Sequence, residues 1–174
     1  IITDFRVING QRGKLALFKL DDASGVIEAR ADEALINTYK HLLKDDELVI
    51  VMGKQQPDRF SGGMQLTVTQ IWDLEQARCR FGKYLRVCAA TGPQGLRLDM
   101  ARLLRDFPAQ KEVSEQGELW RGLSVRLALT CRGEEGAAQA ELQLGEQARF
   151  YPSNAARASW WAQAAPGTAE IVYD

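Results

Sequence analysis

Alternating hydrophobic and polar positions predict a series of strands in the first part of the chain. The predicted strands cover residues 1–8, 15–20, 26–31, 48–54 and 64–74. In the last strand, the alternation predicts an outward polar stripe of Gln65, Thr67 and Thr69 and places Trp72 on the apolar side, in the core. Between the third and fourth strands, the apolar spacing changes to that of a helix. Its apolar stripe consists of Leu35, Ile36, Tyr39, Leu42 and Leu43. Asp32 is placed to cap the first turn of this helix.

Polar, glycine-containing loops separate these strands. Residues 9–14 join the first two strands as a hairpin, and the acidic turn 20–25 joins the second to the third. The loop 55–63 contains Pro57 and two adjacent glycines, so we expect it to continue neither neighbouring strand and to project. Five strands with one helix between the third and fourth fit a five-stranded OB-fold barrel. Such barrels bind oligonucleotides on one face and through two loops.

The remaining residues predict a small α+β domain. The elements are, in order, a strand at 84–89, a helix at 96–107 ended by Pro108, a hairpin of strands 123–131 and 138–144, a helix capped by Ser153, and a strand at 168–173. The fold class is therefore β plus α+β. We expect two domains, at 1–75 and 83–174. Residues 76–82 form either a linker or a short connecting helix.

Length and charge limit the functions that fit. The 174 residues are 45% hydrophobic, enough for two small cores, and the net charge is −1. Residues 1–80 contain 11 Lys and Arg against 12 Asp and Glu, which leaves 11 of each sign for the rest. Because phosphate contacts dominate non-specific affinity, any binding of nucleic acid should be weak and salt-sensitive. It must depend on the local arrangement of cations.

Several short motifs resemble one family. They are Arg6-Val7, Arg12-Gly13, the turn 20–25, Asp45-Asp46 and, above all, the segment Asp-Arg-Phe-Ser-Gly-Gly at 58–63. As a set, they resemble the OB domain near the C-terminus of the alpha subunit of bacterial DNA polymerase III. Residues 150–154 and 169–174 resemble the tail of that subunit. The chain also opens inside a strand, without Met, as we expect of a segment of a larger protein.

The resemblance implies contact with single-stranded DNA through the first domain. The candidate residues are the cations in or beside the loops and strands of one face, together with one loop aromatic: Arg6, Arg12, Lys14, Lys19, Arg30, Lys54, Arg59 and Phe60. Phe60 could stack on a base or anchor its loop against the barrel. Arg12 and Lys14 could equally form an ordinary solvated hairpin tip.

Adjacent tryptophans distinguish the second domain. On a helix, Trp160 and Trp161 point about 100° apart, so one can enter the core while the other lies at the edge. An edge tryptophan is a good interface anchor, although both could instead pack inside a small domain. The resemblance implies that this tail meets the tau subunit of the clamp loader, with Trp160, Trp161, Ile171 and Tyr173 as candidate contacts. Residues 139–144 superficially match a sliding-clamp peptide, but we interpret them as a paired strand.

Neither half contains a predicted catalytic constellation or a cofactor motif. His41 is the only histidine, and Cys79, Cys88 and Cys131 lack the spacing of metal ligands. Turn chemistry explains the doublets at 21–22 and 45–46 better than metal binding does. We therefore expect a non-catalytic segment, whose parent chain is, by resemblance, a nucleotidyltransferase. Without a predicted membrane span or signal peptide, a cytoplasmic location is expected.

Two alternatives stay open. One is a tRNA-binding OB domain of an aminoacyl-tRNA synthetase-like protein, although such a domain would continue into a large catalytic domain. The other is a protein-interaction module without a nucleic-acid role, which the near-zero net charge favours.

Overall fold

The computed structural model describes the chain except residues 11–12, 59–61, 92–97, 115–116, 134–135, 165 and 174. The described chain divides into two compact units, Ile1–Leu74 and Glu75–Asp174. About 51% of it is sheet, with a few short helices. The predicted combination of a five-stranded β unit and an α+β unit is confirmed.

All five predicted strands are present in the first unit. They are β1 (Ile2–Gly10), β2 (Gly13–Asp21), β3 (Val26–Asp32), β4 (Ile50–Pro57) and β5 (Met64–Trp72). Their order in the sheet is β1-β2-β3-β5-β4, with β3 and β5 parallel. Within the described ranges, no ladder joins β1 to β4. Ile2 instead exchanges backbone hydrogen bonds with Asp46 and Glu47, just before β4, so the sheet is only partly closed.

The helix of the first unit, α1 (Glu33–Thr38), is shorter than its predicted stripe. Asp32 caps it as predicted, since its carboxylate accepts a hydrogen bond of 2.9 Å from the Leu35 amide. Beyond Thr38 the chain continues in turns, yet Leu42 and Leu43 are still buried in the core with Ile2, Phe18 and Ile71. The apolar stripe therefore identified core residues correctly, but it overestimated the length of the helix.

Strand β4 enters the predicted loop 55–63, so that prediction was wrong for its first three residues. Gln55, Gln56 and Pro57 pair with Leu66, Gln65 and Met64 of β5. Proline is tolerated there because β4 is an edge strand of the sheet. The amide of Asp58 donates to the Gly63 carbonyl, which closes the shorter loop that remains.

A one-residue bulge in β5 corrects the prediction that Trp72 belongs to the core. Gly53 pairs with Val68 but Met52 pairs with Gln70, so Thr69 is an extra residue. Beyond it the alternation of faces reverses. As a result Ile71 is fully buried, whereas Trp72 is only half-buried.

Gly53 allows β4 to approach β5 closely beside this bulge. A Cβ atom at position 53 would overlap the Thr67 carbonyl oxygen and lie 2.9 Å from its carbon. We therefore expect Gly53→Ala to lower the free energy of unfolding by about 1–3 kcal/mol, the usual cost of overpacking. Urea denaturation measures this change. Gly25→Ala is the control, because a Cβ atom there meets nothing within 4 Å. Equal stability of the two variants would contradict the close approach.

The second unit combines a four-stranded sheet with a separate hairpin. Its strands are β6 (Tyr84–Thr91), β7 (Gln110–Ser114), β8 (Gly117–Arg121), β9 (Ser124–Gly133), β10 (Gly136–Gln143) and β11 (Thr168–Val172). The sheet order is β10-β9-β6-β11, with β6 and β9 parallel. The predicted hairpin and last strand are thus present. Strands β7 and β8 pair with each other as a two-stranded sheet and were not predicted.

Three helices accompany this sheet: α2 (Leu74–Phe81), α3 (Met100–Asp106) and α4 (Asn154–Ala164). Helix α2 occupies most of the region predicted as a linker or connecting helix. Ser153 caps α4 as predicted, since its Oγ accepts a hydrogen bond of 3.1 Å from the Ala156 amide. Ala156, Trp160 and Ala164 form the buried stripe of α4 and pack in the core with Phe150 and Leu127.

Candidate functional site

Three predicted cations lie in one row across the five-stranded sheet. Arg6 of β1 pairs with Leu17 of β2, and Leu17 pairs with Arg30 of β3. Arg30 in turn pairs with Thr67 of β5, which pairs with Lys54 of β4. Directly paired residues point to the same side of a sheet. We call Arg6, Arg30 and Lys54 the cation row.

The cation row lies on the outer face of the sheet. The neighbouring positions along the strands are buried: Ala16, Phe18, Ala29, Ala31 and Val68. Side chains alternate between faces along a strand, so the row points away from this core. Arg6 and Lys54 are exposed and Arg30 is half-buried. Consecutive members are two strands apart, which separates them by roughly 10 Å.

Thr67 orients the central member of the row. The Arg30 Nε donates a hydrogen bond of 2.9 Å to the Thr67 Oγ1. This contact engages only the Nε of the guanidinium, so Thr67 does not use its two terminal nitrogens. Such a fork matches the geometry of a phosphate group.

Lys19 is close to the cation row, but an ion pair with an exposed acid of the same unit neutralises it. Asp4 lies in a bulge of β1 with a left-handed φ of 55°. Its Oδ2 is 2.7 Å from the Lys19 Nζ. This hydrogen bond, and the charge of Lys19, hold the pKa of the Asp4 carboxyl below its usual value, and Asp4 raises the pKa of Lys19 for the same reasons. Lys19 is therefore not equivalent to the cations of the row.

A concave pocket of about 530 Å³ opens beside Arg6 and Lys19. Its lining includes Phe5, Leu17, Glu28 and Gln65. Phe18 also borders the pocket, but its ring is buried in the core, with 6.4 Å between its centre and that of the Phe5 ring. Glu28 and Gln65 are direct partners between β3 and β5. The predicted polar stripe of β5 included Gln65 and Thr67, but Glu28 was missed. Only the register of strands that are distant in sequence brings it here.

Lys14, another of the predicted nucleic-acid residues, does not join this face. Lys14 is exposed, but it alternates along β2 with Ala16 and Phe18 and therefore lies on their side of the strand. It belongs to the rim rather than to the cation row. Arg12, Arg59 and Phe60 lie outside the described residues.

Of the adjacent tryptophans, one lies in the core and the other at the surface, as the first of the two interpretations predicted. Trp160 has no exposed surface and packs against Phe150, with 5.5 Å between ring centres. Trp161 is 56% exposed. Trp160 therefore cannot touch a partner directly, which corrects its assignment as a contact residue. Among the other candidates, Tyr173 is 50% exposed, whereas Ile171 is half-buried against the core.

The described residues contain no group of three His, Cys, Asp or Glu side chains placed to hold a metal ion. None of Cys79, Cys88 and Cys131 is in a disulfide bond. In the part of the chain described, no helix is long and apolar enough to cross a membrane.

Comparison with known proteins identifies relatives of this chain. It is 30% identical over 155 residues, 88% of its length, to DNA polymerase III subunit alpha of Pseudomonas aeruginosa. The chain is related to DNA polymerase III subunit alpha. The same subunit of Pseudomonas fluorescens is 32% identical over 70% of the chain, and that of Escherichia coli O157:H7 is 32% identical over 50%. The resemblance predicted from the sequence is confirmed.

The chain spans only a small part of these relatives. It covers 12% of the length of each Pseudomonas alpha subunit and 8% of that from Escherichia coli. No protein-family model matches it.

Proposed function

We propose that this chain is a non-catalytic, C-terminal part of the alpha subunit of a bacterial replicative DNA polymerase. The first unit, an OB-type domain, contacts single-stranded template DNA, and the second docks the tau subunit of the clamp loader. The similarity to DNA polymerase III subunit alpha supports this role in replication, in the cytoplasm and together with the rest of the polymerase chain. The parent activity proposed is DNA-directed nucleotidyl transfer.

The main support for DNA binding is the alignment of Arg6, Arg30 and Lys54 across the sheet. Evenly spaced cations on an outer sheet face can follow a phosphate backbone across the strands. Leu17, which lies between Arg6 and Arg30 on this face and lines the adjacent pocket, gives unpaired bases an apolar surface. This combination of a cationic track and an apolar surface suits single strands better than duplex DNA.

Asp4→Asn is expected to strengthen this binding by freeing Lys19. Asparagine tolerates the left-handed backbone of position 4, so the bulge should persist. One additional phosphate contact should make the slope of log affinity against log salt steeper by about 0.7. Fluorescence anisotropy with a labelled oligo-dT, repeated at several salt concentrations, measures this slope.

Asp46→Asn is a matched control for that experiment. Asp46 also has a left-handed φ, of 62°, and belongs to the same unit. The two variants therefore remove the same charge at the same type of backbone position. It makes no ion pair with Lys19, whose partner is Asp4. If both variants steepened the slope equally, the effect would be one of net charge, and the specific role of Lys19 would be wrong.

Docking of tau is proposed for the exposed side of α4. Trp161 stands among small or flexible neighbours, with Arg157 and Ala158 one turn earlier on the same exposed face. A large exposed aromatic surrounded by alanine is a suitable interface anchor. The exposed Tyr173, and the accessible part of Ile171, are the further contacts proposed.

Calorimetric titration of the chain with the C-terminal part of the cognate tau subunit tests this docking. We expect saturable one-to-one binding, which Trp161→Ala should weaken by at least about 2 kcal/mol as hot-spot residues do. Arg102→Ala, an exposed change on α3, is the control. Unchanged affinity in Trp161→Ala would remove this residue from the interface. No binding by the folded chain would refute the docking role.

The acidic doublets support the absence of catalysis in this segment. The Asp45 Oδ1 accepts a hydrogen bond of 2.8 Å from the Phe5 amide, and the Asp21 Oδ1 accepts one of 2.8 Å from Ala23. Asp22 accepts from the Ser24 hydroxyl at 2.7 Å and from two backbone amides, which lower its pKa. These carboxylates organise turns, as predicted from their positions.

A further inference from the structure

One edge of the four-stranded sheet in the second unit is open. Strand β10 is the last strand on that side, and within the described chain it pairs with β9 alone. Its eight residues are all exposed. Among the described residues, no element other than β9 makes a backbone hydrogen bond to this strand. The backbone groups on its free side are therefore available to a further strand.

The edges of the five-stranded sheet, and the opposite edge of this one, have features that discourage pairing with another chain. Strand β1 contains a bulge between Thr3 and Arg6, β4 contains Lys54 and Pro57, and β11 has only five residues. Bulges, lysine, proline and short length are the usual protections of an edge strand. In contrast, β10 pairs with β9 without a bulge, and its sequence contains neither lysine nor proline.

The side of β10 that faces the core is apolar and only partly covered. Leu142 pairs with the buried Leu127 of β9, and Ala140 pairs with the half-buried Leu129, so both lie on the core side of the sheet. Ala138 lies on the same side, because side chains alternate along a strand. Leu142 is nevertheless 49% exposed. A strand added at this edge would cover Leu142 as well as pair with the backbone.

We propose that β10 pairs in antiparallel orientation with β10 of a second copy of this chain, so that two four-stranded sheets join into one. With the twofold axis at Ala140, Leu142 lies opposite Ala138 of the second copy on the core side. Glu141 lies opposite Gln139 of the second copy on the other side, where the glutamine amide donates a hydrogen bond to the carboxylate. Each of these contacts forms twice by symmetry.

The distribution of charge suits a second copy as the partner. Glu141 is the only charged residue in the sequence of β10, and this register places it opposite a neutral donor rather than opposite its own equivalent. The net charge of −1 leaves little long-range repulsion between two chains. Because pairing along one strand buries a small area, the dimer is weak and reversible. It involves neither the cation row nor the exposed side of α4, so it is independent of the proposed function.

Sedimentation equilibrium of the whole chain, without DNA or tau, tests this pairing. Between about 5 and about 500 µM, we expect the average mass to rise reversibly from that of one chain toward that of two, as for a small interface. Gln139→Glu places two carboxylates opposite each other in both symmetric contacts and should raise the dissociation constant roughly tenfold. The double variant Gln139→Glu and Glu141→Lys should restore dimerisation, because each contact then pairs an acid with a base.

Two controls separate pairing at the edge from general effects. Gln147→Glu makes the same change at an exposed position of the same unit outside β10, and it should leave the dissociation constant nearly unchanged. Leu142→Lys should also weaken the dimer at least roughly tenfold, since a charge replaces the apolar contact. Its control is Leu48→Lys in the first unit, where the leucine has a nearly equal exposed fraction of 48%. Circular dichroism shows whether each variant is folded.

The outcomes test both the pairing and its register. A chain that stays monomeric over this range would overturn the inference and leave the edge to a strand of a different protein. A dimer that Gln139→Glu does not weaken, or that the double variant does not restore, would also overturn it, because the contact would lie elsewhere. Equal weakening by Leu142→Lys and Leu48→Lys would contradict the role of the apolar side of β10. None of these results bears on the binding of DNA or tau, which is measured separately.

Discussion

Trp160→Ala is expected to destabilise the second unit by about 3–5 kcal/mol, the usual cost of removing a buried aromatic side chain. Trp160 is fully buried and lies at the centre of the core formed with Phe150, Leu127 and Leu103. The helix around it is rich in alanine, so no large neighbour can fill the cavity. Urea denaturation followed by tryptophan fluorescence and circular dichroism measures the loss.

Trp161→Ala is the matched control, since it removes the same side chain from the next position. Because Trp161 is 56% exposed, we expect a change within about 0.5 kcal/mol. Similar destabilisation by both variants would contradict the division of the pair between core and surface.

Removing the cation row is expected to abolish most of the affinity for single-stranded DNA. In the triple variant Arg6→Gln, Arg30→Gln and Lys54→Gln, each lost contact should cost on the order of 1 kcal/mol. The affinity at low salt should therefore fall roughly 100-fold, and the salt slope should flatten by about 2. Anisotropy with labelled oligo-dT measures both quantities.

A second triple variant removes the same charge elsewhere. Lys40, Lys44 and Arg105 are exposed and outside the cation row, so their replacement by glutamine changes the net charge equally. We expect this control to keep at least a third of the affinity. Equal losses in the two variants would mean that binding depends on net charge rather than on the row.

Local patterns in the sequence predicted the features that depend on neighbouring residues. Helix geometry alone separates Trp160 from Trp161, and the cap residues Asp32 and Ser153 follow from their short polar side chains. The alternation of β5 likewise predicted the outward side of Gln65 and Thr67. These inferences succeeded because each needs only a few consecutive residues.

Features set by pairing between distant strands could not be predicted in this way. The cation row depends on the register of β3 against β5, which are separated by more than thirty residues. The bulge at Thr69, which reverses the face of Trp72, depends on the residue opposite, in β4. The hairpin of β7 and β8 was missed for another reason: its residues are largely polar and lack a clear alternation.

The structure differs from the predicted loop 55–63 for a similar reason. Pro57, Gly62 and Gly63 indicated a break in the chain. Proline removes only a backbone donor, however, and an edge strand such as β4 tolerates this loss. Pairing with β5 therefore extends three residues into the predicted loop.

The salt dependence of binding to single-stranded DNA tests the central claim most directly. With the unaltered chain and labelled oligo-dT, three phosphate contacts predict a slope of log affinity against log salt of at least about 2 in magnitude. Between 50 and 200 mM salt, the affinity should fall roughly 20-fold. An affinity that does not change with salt, or no binding by the folded chain, would contradict the assignment of the cation row as a DNA-binding surface.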